Sequence, residues 1–251
     1  MELQKANMWK RIAAWLLDFM LTCVIAVGCI AALSALLGYE AHNSTLQAAY
    51  DRYATQYGVQ FNLSQEAYEA LSEEELQTYQ KAYEALVADE VVLYEYNMVI
   101  NLSLVITTLG ILLGMLCTEF ILPLLLKNGQ TLGKKAFGIA LVRQDSVRVT
   151  TLQLFVRTLL GKYTVETMIP VYMFLMFLWG MLDLTGLIIL GALAIAQLIC
   201  IAVTRNNCAI HDLLAATVEV DLPSQRVFQS SDELIAYTNR LQAERAAKQD
   251  Y

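Results

Sequence analysis

Two carboxylates sit where an ionised group is costly to keep. Asp18 lies inside an apolar run covering residues 12–37, seven residues beyond Arg11, and Glu119 lies inside a second apolar stretch, eight residues before Lys127. At 1.5 Å rise per helical residue these separations correspond to depths of about 10 and about 12 Å. An ionisable group within a membrane span costs roughly 2.5–3.5 kcal/mol on insertion scales, so it turns toward a bundle interior, a partner or a water-filled path. If Asp18 and Glu119 meet, repulsion and desolvation leave them sharing a proton, and the pair would bind a cation or exchange protons. The structural alternative has Asp18 held by Arg11 or Arg157 and Glu119 hydrated near the headgroups. Arg11 and Asp18 are nearly two turns apart and share a helix face, but their axial gap exceeds that of an ordinary i,i+4 ion pair.

Other candidates are weaker. His211 and Asp212 are neighbours, as in part of a hydrolase triad, yet no GxSxG nucleophile elbow accompanies them. Asp212 is better placed as a cap, or as a partner for Arg11 or for the basic connector. Gly129, Gly133 and Lys134 fail as a phosphate loop, since only three residues separate the glycines and Lys135 follows the lysine; a basic turn against anionic headgroups is the plainer reading. Cys23, Cys29, Cys117, Cys200 and Cys208 match neither zinc nor CxxC spacing and read as packing residues. No enzyme activity, metal or cofactor is expected.

The elements that must position these residues follow from composition. Of 251 residues, 57% are hydrophobic and 16% charged, whereas a soluble domain carries about 25% charged residues. Mean hydropathy is +0.47, and the apolar residues form runs near the roughly 20 needed to cross a bilayer. The first run is too long, and too polar at Asp18, for a secretory signal core. The sequence divides into an N-terminus with a first span (1–37), an acidic helical insertion (38–95), a second span (96–126), a basic connector (127–168), a transmembrane hairpin (169–204) and a polar C-terminal segment (205–251). The insertion shows helix starts at Ser44 and Ser64 and a capping box from Ser72 to Glu75. Its stripe of Leu76, Tyr79, Tyr83, Leu86 and Val87 either closes a hairpin broken at Gly58 or meets a partner. Gly110 and Gly114 form a GxxxG step that lets helices approach closely, a candidate surface for oligomers. In the connector, Ile139, Leu141, Val147 and Val149 predict a short hairpin, and Leu152, Phe155, Val156, Leu159 and Leu160 line one face of an interfacial amphipathic helix with Arg157 and Lys162 between them. Ser230 and Glu233 mark the start of a C-terminal helix.

Orientation follows from the basic residues, because cytoplasmic loops retain Lys and Arg. With four spans and the N-terminus inside, 15 of 17 are cytoplasmic; only Arg52 and Lys81 fall in the outer insertion, among 11 acidic residues. The expected fold class is all-α: a four-span transmembrane helical bundle with an extracytoplasmic helical hairpin insertion and a cytoplasmic interfacial amphipathic helix. Partners are the lipid bilayer and either further copies of the chain or another membrane protein, and no nucleic acid.

Three ordered segments, Arg11-Ile-Ala-Ala-Trp-Leu-Leu-Asp18, Gly129-Gln-Thr-Leu-Gly-Lys-Lys-Ala-Phe-Gly138-Ile and Asn207-Cys-Ala-Ile-His211-Asp212-Leu-Leu-Ala215, resemble the first helix, central loop and closing segment of the RDD family of bacterial membrane proteins. The resemblance implies that Arg11, Asp18 and Asp212 are the functional positions, in a bacterial plasma membrane, and the count of basic residues places both termini in the cytoplasm. Family members have been suggested to act in transport, including sodium and proton exchange. The long acidic insertion departs from the short outer loop expected of the family. It motivates a second function, a scaffold or accessory subunit that binds a partner through its outer hairpin.

Overall fold

The computed structural model describes residues 3–126, 129–170 and 184–249, so nearly all of the expected arm at 169–182, Asp183 of its turn and Lys127 lie outside the described residues, while Leu184, Thr185 and Gly186, expected in that turn, open a helix. The chain forms two compact units, one of residues 1–27 with 111–251 and one of residues 28–110.

In the second unit, α2 (Tyr39–Tyr57) begins directly after Gly38, which adopts a left-handed conformation, and ends at Gly58 in the same conformation. Ser44 therefore lies within a helix, where its hydroxyl donates to the Ala41 carbonyl, and does not start one. Ser64 caps the short α3 (Gln65–Glu69), and the Ser72–Glu75 capping box opens α4 (Glu73–Ala88). Helix α5 (Glu90–Met115) follows at once, so the second apolar helix starts six residues before Tyr96. Leu46, Leu86 and Val92 are buried together, with Tyr50, Tyr53 and Phe61 packed around them. The stripe on α4 thus turns partly inward: Ala82 and Leu86 are buried, while Tyr83 and Val87 remain exposed. Gly110 lies against Ile30, where a Cβ would meet the Ile30 Cγ1 at 2.3 Å.

Helix α1 (Met8–Leu36) and the long helical stretch from Glu90 to Leu125 are both long and apolar enough to cross a membrane, and their residues up to 27 and from 111 belong to the first unit. Trp15, Phe19, Met20 and Val24 are exposed along α1, while Ala14 and Asp18 are buried. Beyond Met115 the backbone widens into a π-helical segment, Leu116–Ile121, before α6 (Leu122–Leu125). Pro123 supplies the cause. Proline lacks the amide that would bond the carbonyl four residues earlier, and its ring crowds that oxygen. That carbonyl belongs to Glu119, and it accepts instead from the Thr158 hydroxyl at 3.0 Å.

The connector is not purely helical. Helix α7 (Leu132–Ala136) leads into β1 (Ile139–Arg143), which pairs antiparallel with the distant β2 (Thr217–Asp221), Ile139 opposite Asp221 and Arg143 opposite Thr217. The expected hairpin at 139–149 survives only as a tight turn with one bridge, Val142 to Arg148. The all-α expectation is corrected accordingly: helices predominate around one small sheet. Residues near Lys5 flank the other edge of β2, with the Ala6 amide donating to the Glu219 carbonyl. Ala140, Val142, Cys208, Val218 and Val220 form the core on one face of this sheet.

Helix α8 (Thr151–Phe155) passes into a second π-helical segment, Val156–Glu166. After it come α9 (Leu184–Val203), α10 (Ile210–Leu214) and α11 (Ser231–Gln249). Leu152, Phe155 and Leu160 are exposed as an apolar face, but Arg157 and Lys162 are buried instead of facing water. The winding explains this. In an α-helix, residues five apart point about 140° away from each other, whereas i→i+5 bonding brings them toward one side. Arg157, Lys162 and Glu166, spaced five and four, thereby share an inward face.

Gly114 packs against Ala26, where an added Cβ would approach the Ala26 Cα to 3.1 Å. Gly114→Leu should wedge α5 from α1 and cost about 1–3 kcal/mol by overpacking, read as a lower unfolding midpoint in detergent. An unchanged midpoint would show that the close approach is dispensable.

Candidate functional site

The site is assembled by elements far apart in sequence. Asn7 opens α1, its side chain accepting from the Trp9 amide, which sets Arg11 one turn in. The Arg11 guanidinium donates through Nε to Glu219 at 2.7 Å and through Nη1 to the Asn207 carbonyl at 2.6 Å, and its Nη2 lies 3.6 Å from Asp212. Asn207 adopts a positive φ of 53°, a conformation Asn tolerates better than most residues. Alternation along β2 separates its residues: Val218 and Val220 enter the sheet core, while Thr217 and Glu219 face the charges.

Arg157, at 2% exposure, is the hub. Its Nε donates to Asp212 at 3.0 Å, its Nη2 donates to Glu219 at 3.1 Å, and its Nη1 lies 3.6 Å from Glu119. Lys162 contacts Glu119 at 2.5 Å, and Lys134 lies 3.4 Å from Glu219 and 3.9 Å from Glu119. Asp212 also accepts from the Ala209 amide at the start of α10, at 3.3 Å. With Asp18, four carboxylates and four bases are buried or nearly so in one cluster.

Asp18 does not pair with Arg11 or Arg157. Its carboxylate accepts from the Gly133 amide at 2.8 Å and from the Thr131 hydroxyl, tying α1 to the start of α7. Gly133 is required there, because a Cβ would lie 2.2 Å from the Ala14 carbonyl oxygen and 2.9 Å from the Asp18 carboxyl carbon. Lys134, expected at the headgroups, is buried as a consequence. Asp18 and Glu119 both line one cavity, but each has its own partners: backbone and hydroxyl donors for Asp18, bases for Glu119. Glu119 Oε2 is buried and accepts no hydrogen bond.

The cavity has a volume of about 700 Å³. Ile12, Phe19, Met115, Leu198 and Ile201 contribute apolar wall, and Arg11, Lys134, Lys162, Glu119 and Glu219 a charged floor. At its edge the His211 ring contacts Glu166 at 2.5 Å, and Gln197 donates to the same carboxylate at 2.8 Å. Gly161 admits this corner by lying against His211, where a Cβ would meet the His211 Cβ at 2.6 Å.

Burial alone would raise the Asp212 and Glu219 carboxyls. Arg157 foremost holds Asp212 below its ordinary 3.8, and Lys134, Arg11 and Arg157 hold Glu219 well below 4.5. Burial, reinforced by the adjacent Asp212, pushes the Cys208 thiol up to about 11, so this cysteine stays protonated and packs. Among the described residues no group of three His, Cys, Asp or Glu side chains is arranged to hold a metal ion.

Glu219, Lys134 and Lys162 were not legible as site residues from spacing alone, and Arg157, expected to hold Asp18, meets Asp212, Glu219 and Glu119 instead. The alternation Thr217-Val-Glu-Val-Asp221 was the available signal for β2 and hence for Glu219.

Two helices long and apolar enough to span a membrane, over a buried ionic cluster, have the character of a helical membrane protein. The RDD family profile matches residues 5–216, and the chain belongs to the RDD family. Its Arg11, Asp18 and Asp212 all lie in or beside the cluster just described. Comparison with curated proteins and with solved structures returned no match.

Two outcomes are expected. Arg157→Met leaves buried carboxylates uncompensated and should cost about 3–5 kcal/mol, measured as detergent unfolding; a loss under 1 kcal/mol would show that Arg157 is not the hub. Asp212 and Glu219 have depressed folded values, so their stabilisation is complete above their ordinary values of 3.8 and 4.5 and is lost as pH falls through the folded ones. The unfolding temperature should therefore stay level in their contribution from pH 7 to about 5 and fall below about 4, with Asp212→Asn flattening the acid limb.

Proposed function

We propose that the chain is a transport-related membrane protein whose cavity takes up its cargo and whose Glu119 handles the accompanying proton. The observation that carries this reading is Glu119 itself, a buried carboxylate at the cavity with one oxygen lacking a hydrogen-bond donor. Arg157, Lys134 and Lys162 lie within 4 Å of it. Three bases repel an alkali cation, and a proton reaches Glu119 only by displacing one of them, Lys134 at 3.9 Å being the more loosely held. Asp18 serves this site as a positioning residue, fixing α7 and thereby Lys134.

The proposal includes four spans with both termini cytoplasmic in a bacterial plasma membrane, which the basic-residue bias supports. Four spans are few for a complete carrier, and an assembly of several copies or with a partner protein is part of the reading.

A second reading, a scaffold or accessory subunit, is favoured by one feature of the insertion: Tyr83 and Val87 stay exposed on α4 beside the buried Leu86. Replacing both by Ser would remove a partner's cross-links and leave proton flux untouched if this reading holds.

In liposomes carrying a pH-sensitive dye, Glu119→Gln should lower proton flux at least tenfold, while Asp18→Asn should lower both flux and thermal stability. Unchanged flux in both variants would overturn the transport reading.

A further inference from the structure

Lys134 and Glu119 leave a gap of defined chemistry on the cavity floor. The Lys134 ammonium is 3.9 Å from Glu119 Oε2 and 3.4 Å from Glu219, beyond hydrogen-bond distance for a good ammonium–carboxylate contact in the first case and at its limit in the second. Glu119 Oε2 accepts no hydrogen bond at all. A donor and an acceptor are thus held side by side, each wanting a third group between them. One oxygen forming two bonds of about 2.8 Å spans such a gap at an angle near 90°. It must accept from Lys134 and donate to Glu119, and a hydroxyl does both.

Charge narrows the choice further. Asp18, Glu119, Asp212 and Glu219 are matched in number by Arg11, Lys134, Arg157 and Lys162, and Glu166 at the cavity edge is paired with His211. An ammonium or carboxylate head would unbalance a buried cluster, at the cost of an uncompensated charge; a neutral hydroxyl leaves the balance intact. The walls specify the remainder of the ligand. Ile12, Phe19, Met115, Leu198 and Ile201 line a volume of about 700 Å³, within the usual range for a ligand pocket, and a water held at the charged floor would leave these apolar walls uncovered.

We infer that the cavity binds a hydrocarbon-chain alcohol, its hydroxyl bridging Lys134 and Glu119 and its chain against the apolar walls. The inference rests on the assignment of this cavity as the functional site and names the class of molecule it takes.

Trp15 lines the cavity and supplies the reporter. With Trp9 and Trp179 replaced by Phe, the full-length protein in lipid nanodiscs would be titrated with chain-matched brominated probes, 11-bromoundecanol, 11-bromoundecylamine and 11-bromoundecanoate. Compared at equal mole fraction in the nanodisc lipid, the alcohol should half-quench Trp15 at a level at least tenfold below either charged probe. Glu119→Gln makes the cluster net positive and should shift preference toward the carboxylate; Lys134→Met makes it net negative and should shift preference toward the amine. Equal quenching by all three probes, which is simple partitioning into lipid, would overturn the inference, as would a preference of the unsubstituted cluster for a charged head. If either variant fails to fold, the head-group order in the parent protein still decides. Alcohol binding without proton flux would sustain this inference and retire the transport reading.

Discussion

The fork of Arg157 is the constraint on which the site depends. One planar guanidinium faces Asp212, Glu219 and Glu119, carboxylates contributed by α10, by β2 and by the π-helical turn after α5. Such a group holds several acceptors in fixed directions, which a lysine does not. Removing charges of this kind from water is costly, and buried ion pairs are weak evidence for stability as such. Their effect here is registration: each acid has a base from a different element, so a slipped helix or strand would strand a charge.

Backbone irregularity makes the registration achievable. Pro123 frees the Glu119 carbonyl, Thr158 accepts the role of its partner, and the resulting π-helical turn buries Glu119. The second π-helical segment gathers Arg157 and Lys162 on one side. Small residues set the remaining distances, with Gly133 beneath Asp18 and Gly161 beneath His211. The cavity inherits its character from this arrangement: its floor is fixed ionic charge, and its walls are the apolar faces of α1, α5 and α9.

The two long apolar helices were legible in the sequence, because the length and apolarity of a helix are local properties; α1 begins four residues before the expected span, and α5 six residues before. Arg11, Asp18, Glu119 and Asp212 were singled out by depth and by family resemblance, and all four lie in or beside one cluster. The partners of Asp212 were legible, as Arg11 and a base of the connector; those of Asp18 and Glu119 were not. Arg157 and Lys162 read as a solvated edge because an α-helical wheel separates them, and nothing local announces a π-helical turn except Pro123. Lys134 read as a headgroup contact, since its burial depends on Asp18 gripping α7 from a position 116 residues away in sequence. Glu219 lay in a segment taken as a polar tail, where a five-residue alternation is too short to outweigh the surrounding helical pattern.

The central claim is that these charges form one coupled unit, and a double-mutant cycle between Arg157 and Asp212 tests it most directly. Arg157→Met, Asp212→Asn and the double variant would be compared by unfolding free energy in detergent. The account predicts that the double variant loses less than the sum of the single losses, by a coupling energy of about 1–3 kcal/mol. Additivity within about 0.3–0.5 kcal/mol, the behaviour of independent sites, would contradict it.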